Sequence, residues 1–296
     1  MILLAGFLLN VLSSRASGVP AATPKAKAAD SWSVTWQPVR PVNGSPIVFH
    51  VSSPEPLKSL SGKWLEHDVF FSVDPGGKGW YGIAGASLET HAGNHPLQLK
   101  GVTPAGKELS FQKQIVVGKG IYHSIAASVP KQYTEPDPKQ LQQIDQDKAL
   151  KEQAFAQLTP EREWAGDFRP AVKAQISDVF GTSRTFNGKT QSVHQGLDYG
   201  VPEGTPVAAL NAGTVLLAQP LFFEGNCVVL DHGQGLLTLY MHLSRIEVKE
   251  GQHITGGQQI GLSGGTGRAT GPHLHVAVRW QGVYLNPATL LSLHLP

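Results

Sequence analysis

The 296-residue chain is poor in several things, and each shortage narrows the reading. It has one cysteine, Cys227, so no intramolecular disulfide can form and the fold must be held by its core. Cys227 opens the apolar run Cys227-Val228-Val229-Leu230 and reads as a small buried hydrophobe rather than a reactive thiol. Excess charge of one sign is also missing. The 24 Lys and Arg against 22 Asp and Glu leave a net charge of +2, too mild for a nucleic-acid footprint. No apolar run reaches the roughly 20 residues of a membrane-spanning helix. The apolar stretch Ile2 to Leu12 is interrupted only by polar Asn10. Small-residue sites at Ser14-Arg15-Ala16 and Ala16-Ser17-Gly18 follow it, so residues 1–18 read as a secretory signal peptide. No Lys or Arg precedes the run, which leaves a retained N-terminal anchor as the alternative. Residues 19–30 are rich in Pro, Ala and Lys and read as a disordered linker.

Glycine (33) and proline (21) are plentiful, which favours short strands and turns over helical bundles. Over residues 31–120 the strand-like runs are Ser33 to Trp36, Pro46 to Val51, Val69 to Val73, Trp80 to Ala84, Pro96 to Leu99 and Leu109 to Val117. Their spacing predicts an immunoglobulin-like β-sandwich. His67, His91, His95 and His123 lack ligand spacing there and read as surface residues. No carboxylate pair, Gly-rich phosphate loop or nucleophile elbow occurs in this half. Residues 121–163 read as a connector. Asp137-Pro138 starts a helix that runs to about Leu158, and Thr159-Pro160-Glu161 reads as the start of a second, short one.

Residues 164–296 read as an all-β, hairpin-rich domain. Three polar constellations stand out. In Val193-His194-Gln195-Gly196-Leu197-Asp198, an extended chain puts positions 194, 196 and 198 on one face, with Gly196 leaving room for an ion. In Leu239-Tyr240-Met241-His242, Tyr240 and His242 share a face. In Gly271-Pro272-His273-Leu274-His275-Val276, His273 and His275 share a face, and Leu274, Val276, Val278 and Trp280 form the core face. Two histidines and an aspartate make a three-ligand zinc set with an open fourth position, the arrangement of a catalytic site. No His-Glu-x-x-His helix is present, so the helical metalloprotease layout is excluded.

His194-x-x-x-Asp198, Tyr240-x-His242 and Gly271-Pro272-His273-Leu274-His275, in this order, resemble the lysostaphin/LytM-type zinc endopeptidases, peptidase family M23. Phe180-Gly181-x-x-Arg184, Gly204-Thr205-Pro206-Val207 and Gly265-Thr266-Gly267 match the family's framework. The resemblance covers roughly Trp164 to Pro287. It implies that His194, Asp198 and His275 are zinc ligands, that His242 and His273 are catalytic, and that Zn2+ is the cofactor. It also implies a peptidoglycan substrate cut at a stem or cross-link peptide bond, with D,D-endopeptidase action first among the choices. Such a protein is exported to the periplasm or cell envelope, binds no nucleic acid and has no stable transmembrane span beyond the leader. The alternative is a non-catalytic or latent wall-binding regulator that activates a partner amidase. His232 and His253 match no functional position and read as surface, and His294 lies in the tail and reads as irrelevant to the site. Arg184 reads as structural or substrate-facing, Tyr240 as packing or a groove donor, and Asn187 and Thr266 as weaker candidates.

Overall fold

The computed structural model describes residues 31–77 and 79–296. The leader and linker expected over residues 1–30 lie outside the described residues. The described chain is mainly β. No described helix is long and apolar enough to cross a membrane.

Seven antiparallel strands form one hydrogen-bonded path in the first part of the chain. Their order is Ser33–Gln37, Pro46–Ser52, Trp80–Gly85, His67–Val73, Ser59–Trp64, Gly93–Val102 and Glu108–Val117. The strand His67–Val73 joins the two ends of the path, pairing with Trp80–Gly85 through one half and with Ser59–Trp64 through the other. Ser59–Trp64 was not evident in the sequence. Only Leu60 and Trp64 are large and apolar in it, and Gly62 stands where a β-carbon would lie 2.9 Å from the Phe71 ring.

The helix Pro138–Phe155 starts as the sequence predicts. Asp137 accepts from the Gln140 backbone at 2.8 Å, and the Gln140 side chain accepts from the Asp137 backbone at 2.9 Å. The second helix expected at Thr159 is absent. Thr159 instead donates its hydroxyl to Asp231 at 2.6 Å and accepts from Gln234, so the segment is tied to a neighbouring turn in extended form.

The larger C-terminal sheet runs in the order His253–Ile254, Gly213–Leu221, Gly225–Asp231, Leu236–Leu243, Leu274–Trp280, Gly196–Tyr199, Ile176–Asp178. Val283–Leu285 pairs beside Leu274–Trp280. Alternation divides its two faces. Val228, Leu230, Tyr240, Val276 and Val278 join the main core with the buried side chains of the N-terminal sheet. Cys227, Val229, Leu237, Leu239 and Ala277 form a second apolar cluster beneath Ala154 of the helix. Cys227 is thus buried, and burial pushes its thiol pKa up, as expected for an inert core residue. The two parts of the chain are sewn together at Gln281 Nε2 to Asp68 O (2.7 Å) and Gln234 Nε2 to Ser72 Oγ (3.0 Å). His67, expected at the surface, packs its ring 5.1 Å from that of Trp280 at this seam.

Candidate metal centre and groove

Strand pairing brings the three sequence constellations to one place. Gly196–Tyr199 runs antiparallel to Leu274–Trp280 with Asp198 opposite His275, and Met241 pairs with His275 from the other side. His194 stands just before its strand, fixed by backbone bonds to Thr182 and Gly181. Its Nε2 is 3.0 Å from Asp198 Oδ1 and 3.0 Å from His275 Nδ1, and His275 Nδ1 is 2.7 Å from Asp198 Oδ1. All three residues are buried.

Each ring is oriented by a backbone partner or by packing. His194 Nδ1 donates to Val179 O at 2.8 Å, which fixes the tautomer and leaves Nε2 as a lone pair. Gly196 makes room, but for the His275 ring rather than for an ion: a β-carbon there would meet His275 Nε2 at 2.3 Å. Burial opposes charge on Asp198, yet the His194 and His275 rings set against it hold its carboxyl well below the usual range. Burial pushes His275 below the ordinary histidine value. Buried, close-set nitrogen and carboxylate donors of this kind fit a divalent cation such as zinc.

Arg184 settles on a structural role within the site. Its Nη2 reaches Asp198 Oδ2 at 2.5 Å, and its Nε reaches Asp178 Oδ2 at 2.8 Å. Asp178, which the sequence reading missed, also accepts from Thr182 Oγ1 at 2.9 Å. The signal was an acid six residues ahead of the framework arginine.

His242 and His273 complete the cluster, with ring centroids 4.7 Å apart. His242 Nδ1 donates to Thr266 O at 2.8 Å and His273 Nδ1 to Gly271 O at 2.8 Å, so each presents Nε2 as an acceptor. His273 Nε2 lies 3.9 Å from Asp198 Oδ1. Burial and the neighbouring His273 and His275 push His242 down to about 3.

The shared face expected for Tyr240 and His242 does not form. His242 takes a left-handed backbone (φ 61°), which breaks the strand's alternation. His242 turns into the groove while Tyr240 stays in the core, its hydroxyl accepting from Leu210 N at 2.8 Å. His232 is also not a surface residue. It is fully buried, bonded to Ala212 O at 2.6 Å and Thr238 Oγ1 at 2.7 Å. His253 is exposed, as expected, and so is His294 in the tail. Asn187 braces the connector through both backbone groups of Val129, and Thr266 orients His242 through its carbonyl.

His194, Asp198, His242, His273 and His275 line an open groove of about 490 Å³. Its walls also include Phe223, Glu224 and Arg268, and Ile125 and Ala127 of the connector. The connector strand Ser124–Ala127 reaches it by pairing in parallel with Ser183–Phe186.

Three donors at the floor of a groove, with two further histidines beside them, make a hydrolytic metal centre the natural class to test. Residues 192–287 match the model of peptidase family M23, so this part of the chain is a peptidase M23 domain. Two curated relatives are peptidoglycan DD-endopeptidase ShyA of Vibrio cholerae and DD-carboxypeptidase/endopeptidase Mpg of Neisseria meningitidis. The chain is 43% identical to the first over 108 residues, covering 36% of this chain and 24% of the relative. It is 40% identical to the second over 124 residues, covering 42% and 29%. The chain therefore spans about a quarter of the length of these relatives. A crystal structure from Pseudomonas aeruginosa assigned to peptidase M23 superposes with a TM-score of 0.64 at 29% identity, covering 85% of this chain and 95% of that one.

Proposed function

We propose that this chain is a zinc-dependent endopeptidase that hydrolyses peptide bonds in peptidoglycan stem peptides or cross-links, with D,D-endopeptidase action favoured. The observation that carries the reading is the convergence of His194 Nε2, Asp198 Oδ1 and His275 Nδ1 within about 3 Å of one another, with His242 and His273 beside them. The named activities of the two curated relatives support peptidoglycan as the polymer and the cell envelope as the location.

His194, Asp198 and His275 would hold the zinc ion, whose chemistry when bound is Lewis acidity toward water and a carbonyl oxygen. With Nδ1–H committed to Thr266 O, His242 presents Nε2 as the acceptor for a proton from the attacking water. His273, anchored in the same way on Gly271, presents its Nε2 toward Asp198 and the reacting carbonyl. In the protonated form it would donate to the oxyanion that develops there.

The test is release of soluble fragments from purified peptidoglycan by zinc-loaded protein, beside a His275→Ala control, with the new termini identified by mass spectrometry. Release by the wild type alone supports the reading and names the bond. No release with one equivalent of zinc bound overturns it.

One observation favours a second reading, a latent or regulatory protein. The connector lines the groove through Ile125 and Ala127, and Ser128 to Pro130 face Gly265 to Pro272 across a further cleft. A truncation beginning near Trp164 that releases fragments faster than the full chain would support latency. Equal or lower activity would make the connector a wall rather than a plug.

We read residues 31–120 as an immunoglobulin-like module. Its first, second, fifth and fourth strands pair in that order, as do its third, sixth and seventh, which is the pairing of a constant-type sandwich. Residues 121–163 are then the connector and 164–296 the peptidase domain.

A further inference from the structure

The loop that orients His242 through Thr266 carries Arg268 two residues later. Arg268 is pinned by its backbone N–H, which donates to Phe223 O at 2.8 Å. Its guanidinium carbon lies 4.8 Å from the centre of the Phe223 ring and 4.9 Å from that of Phe186. It shares the groove with the three metal-site residues.

The two arginines of the groove differ in one respect. Arg184 is fully committed to Asp178 and Asp198. Arg268 has no side-chain hydrogen bond or ion pair among the described residues. The acid that influences it, Glu224, is paired with Lys151 through Oε1, and its buried Oε2 bonds to neither Arg268 nor any other described residue. A guanidinium stays charged and offers five donors in a planar fork. Packing it on aromatic rings strips water from its faces without satisfying its edges, and an unpaired, partly desolvated cation is costly. A carboxylate fits that fork with two parallel hydrogen bonds. The stacking on Phe186 and Phe223 removes much of the side-chain freedom that such a bond would otherwise have to freeze.

We infer that Arg268 is a specificity-determining residue that receives a free carboxylate of the peptide substrate. This rests on the peptidoglycan-peptidase reading, whose stem peptides carry such groups.

The experiment compares a cross-linked stem-peptide dimer bearing free carboxylates with its fully carboxamidated counterpart. Zinc-loaded wild type, Arg268→Gln and Arg268→Lys are assayed for kcat/KM on both. Binding of both peptides is measured by calorimetry on zinc-loaded His242→Ala protein. We expect the wild type to prefer the acid peptide by about 10–100-fold, the scale of one charge-assisted hydrogen-bonded pair. Arg268→Gln should lose that preference while cleaving the amidated peptide at near the wild-type rate, and Arg268→Lys should keep part of it. Equal treatment of the two peptides by the wild type overturns the inference without any variant. An equal loss on both peptides in Arg268→Gln also overturns it and leaves Arg268 a packing residue. If wild type releases fragments from peptidoglycan but does not discriminate, the Arg268 role alone fails. If calorimetry discriminates but nothing is hydrolysed, the peptidase reading alone fails. If neither peptide binds, both fail.

Discussion

A β-carbon on Gly196 would stand 2.3 Å from Nε2 of His275, so the strand that carries Asp198 can pass that imidazole only as glycine. Gly196→Ala should push the His275 ring away from Asp198 and weaken zinc binding on the order of 100-fold. Competition with a chromogenic chelator measures this. Unchanged zinc affinity would show that the ring has another place to go.

Donor and acceptor roles separate by mutation. His242→Ala should lower kcat by about 10²–10⁴-fold while leaving one equivalent of zinc in place. His194→Ala and Asp198→Ala should lose the metal itself. Metal analysis of the purified variants, alongside turnover of peptidoglycan, distinguishes the two classes. Normal cleavage by His242→Ala would remove it from the catalytic set.

Arg184 holds Asp198 by the oxygen that faces away from the histidines and holds Asp178 with the same fork. Arg184→Ala leaves two largely buried carboxylates without their cation. The expected result is zinc affinity lower by about 10–100-fold together with a loss of stability of about 3 kcal/mol. Arg184→Lys should recover only part of each, because a single ammonium cannot copy the fork. A chelator titration and a urea melt report the two effects independently.

His232 links stability to acid. Burial pushes its pKa from 6.5 down to about 4. Above pH 6.5 the ring is neutral whether folded or unfolded. Between about 6.5 and 4 the unfolded chain takes up a proton that the folded protein refuses. Stability therefore falls as the pH is lowered through that window, by up to about 3 kcal/mol from this group, and levels off below it. Urea midpoints of metal-free wild type and His232→Gln at pH 7 and 4.5 test it. The variant should lose less between the two conditions, and equal losses would assign the acid sensitivity to other groups.

The sequence revealed most of the strands because their apolar residues alternate, and it placed His194, Asp198, His242, His273 and His275 in one site because their motifs follow a recognisable order. It was silent where long-range contact decides. Ser59–Trp64 hides behind a glycine that exists to admit Phe71 from the next strand. The direction of His242 could not be read from period-two alternation, because a left-handed residue interrupts it. His232 looked like a turn residue in a glycine-rich segment, and only the approach of Ala212 and Thr238 makes it core. Asp178, Glu224 and Arg268 acquire meaning from partners 6 to 73 residues away or from none at all.

The parallel pairing of Ser124–Ala127 with Ser183–Phe186 lies entirely ahead of residue 192, where the family match begins. One side of the groove is thus built by a strand that lies outside the matched segment holding His194, Asp198, His242, His273 and His275. Exchanging the connector would reshape that wall of the groove without touching His194, Asp198 or His275, so the shape of the groove can vary while the cluster at its base stays fixed.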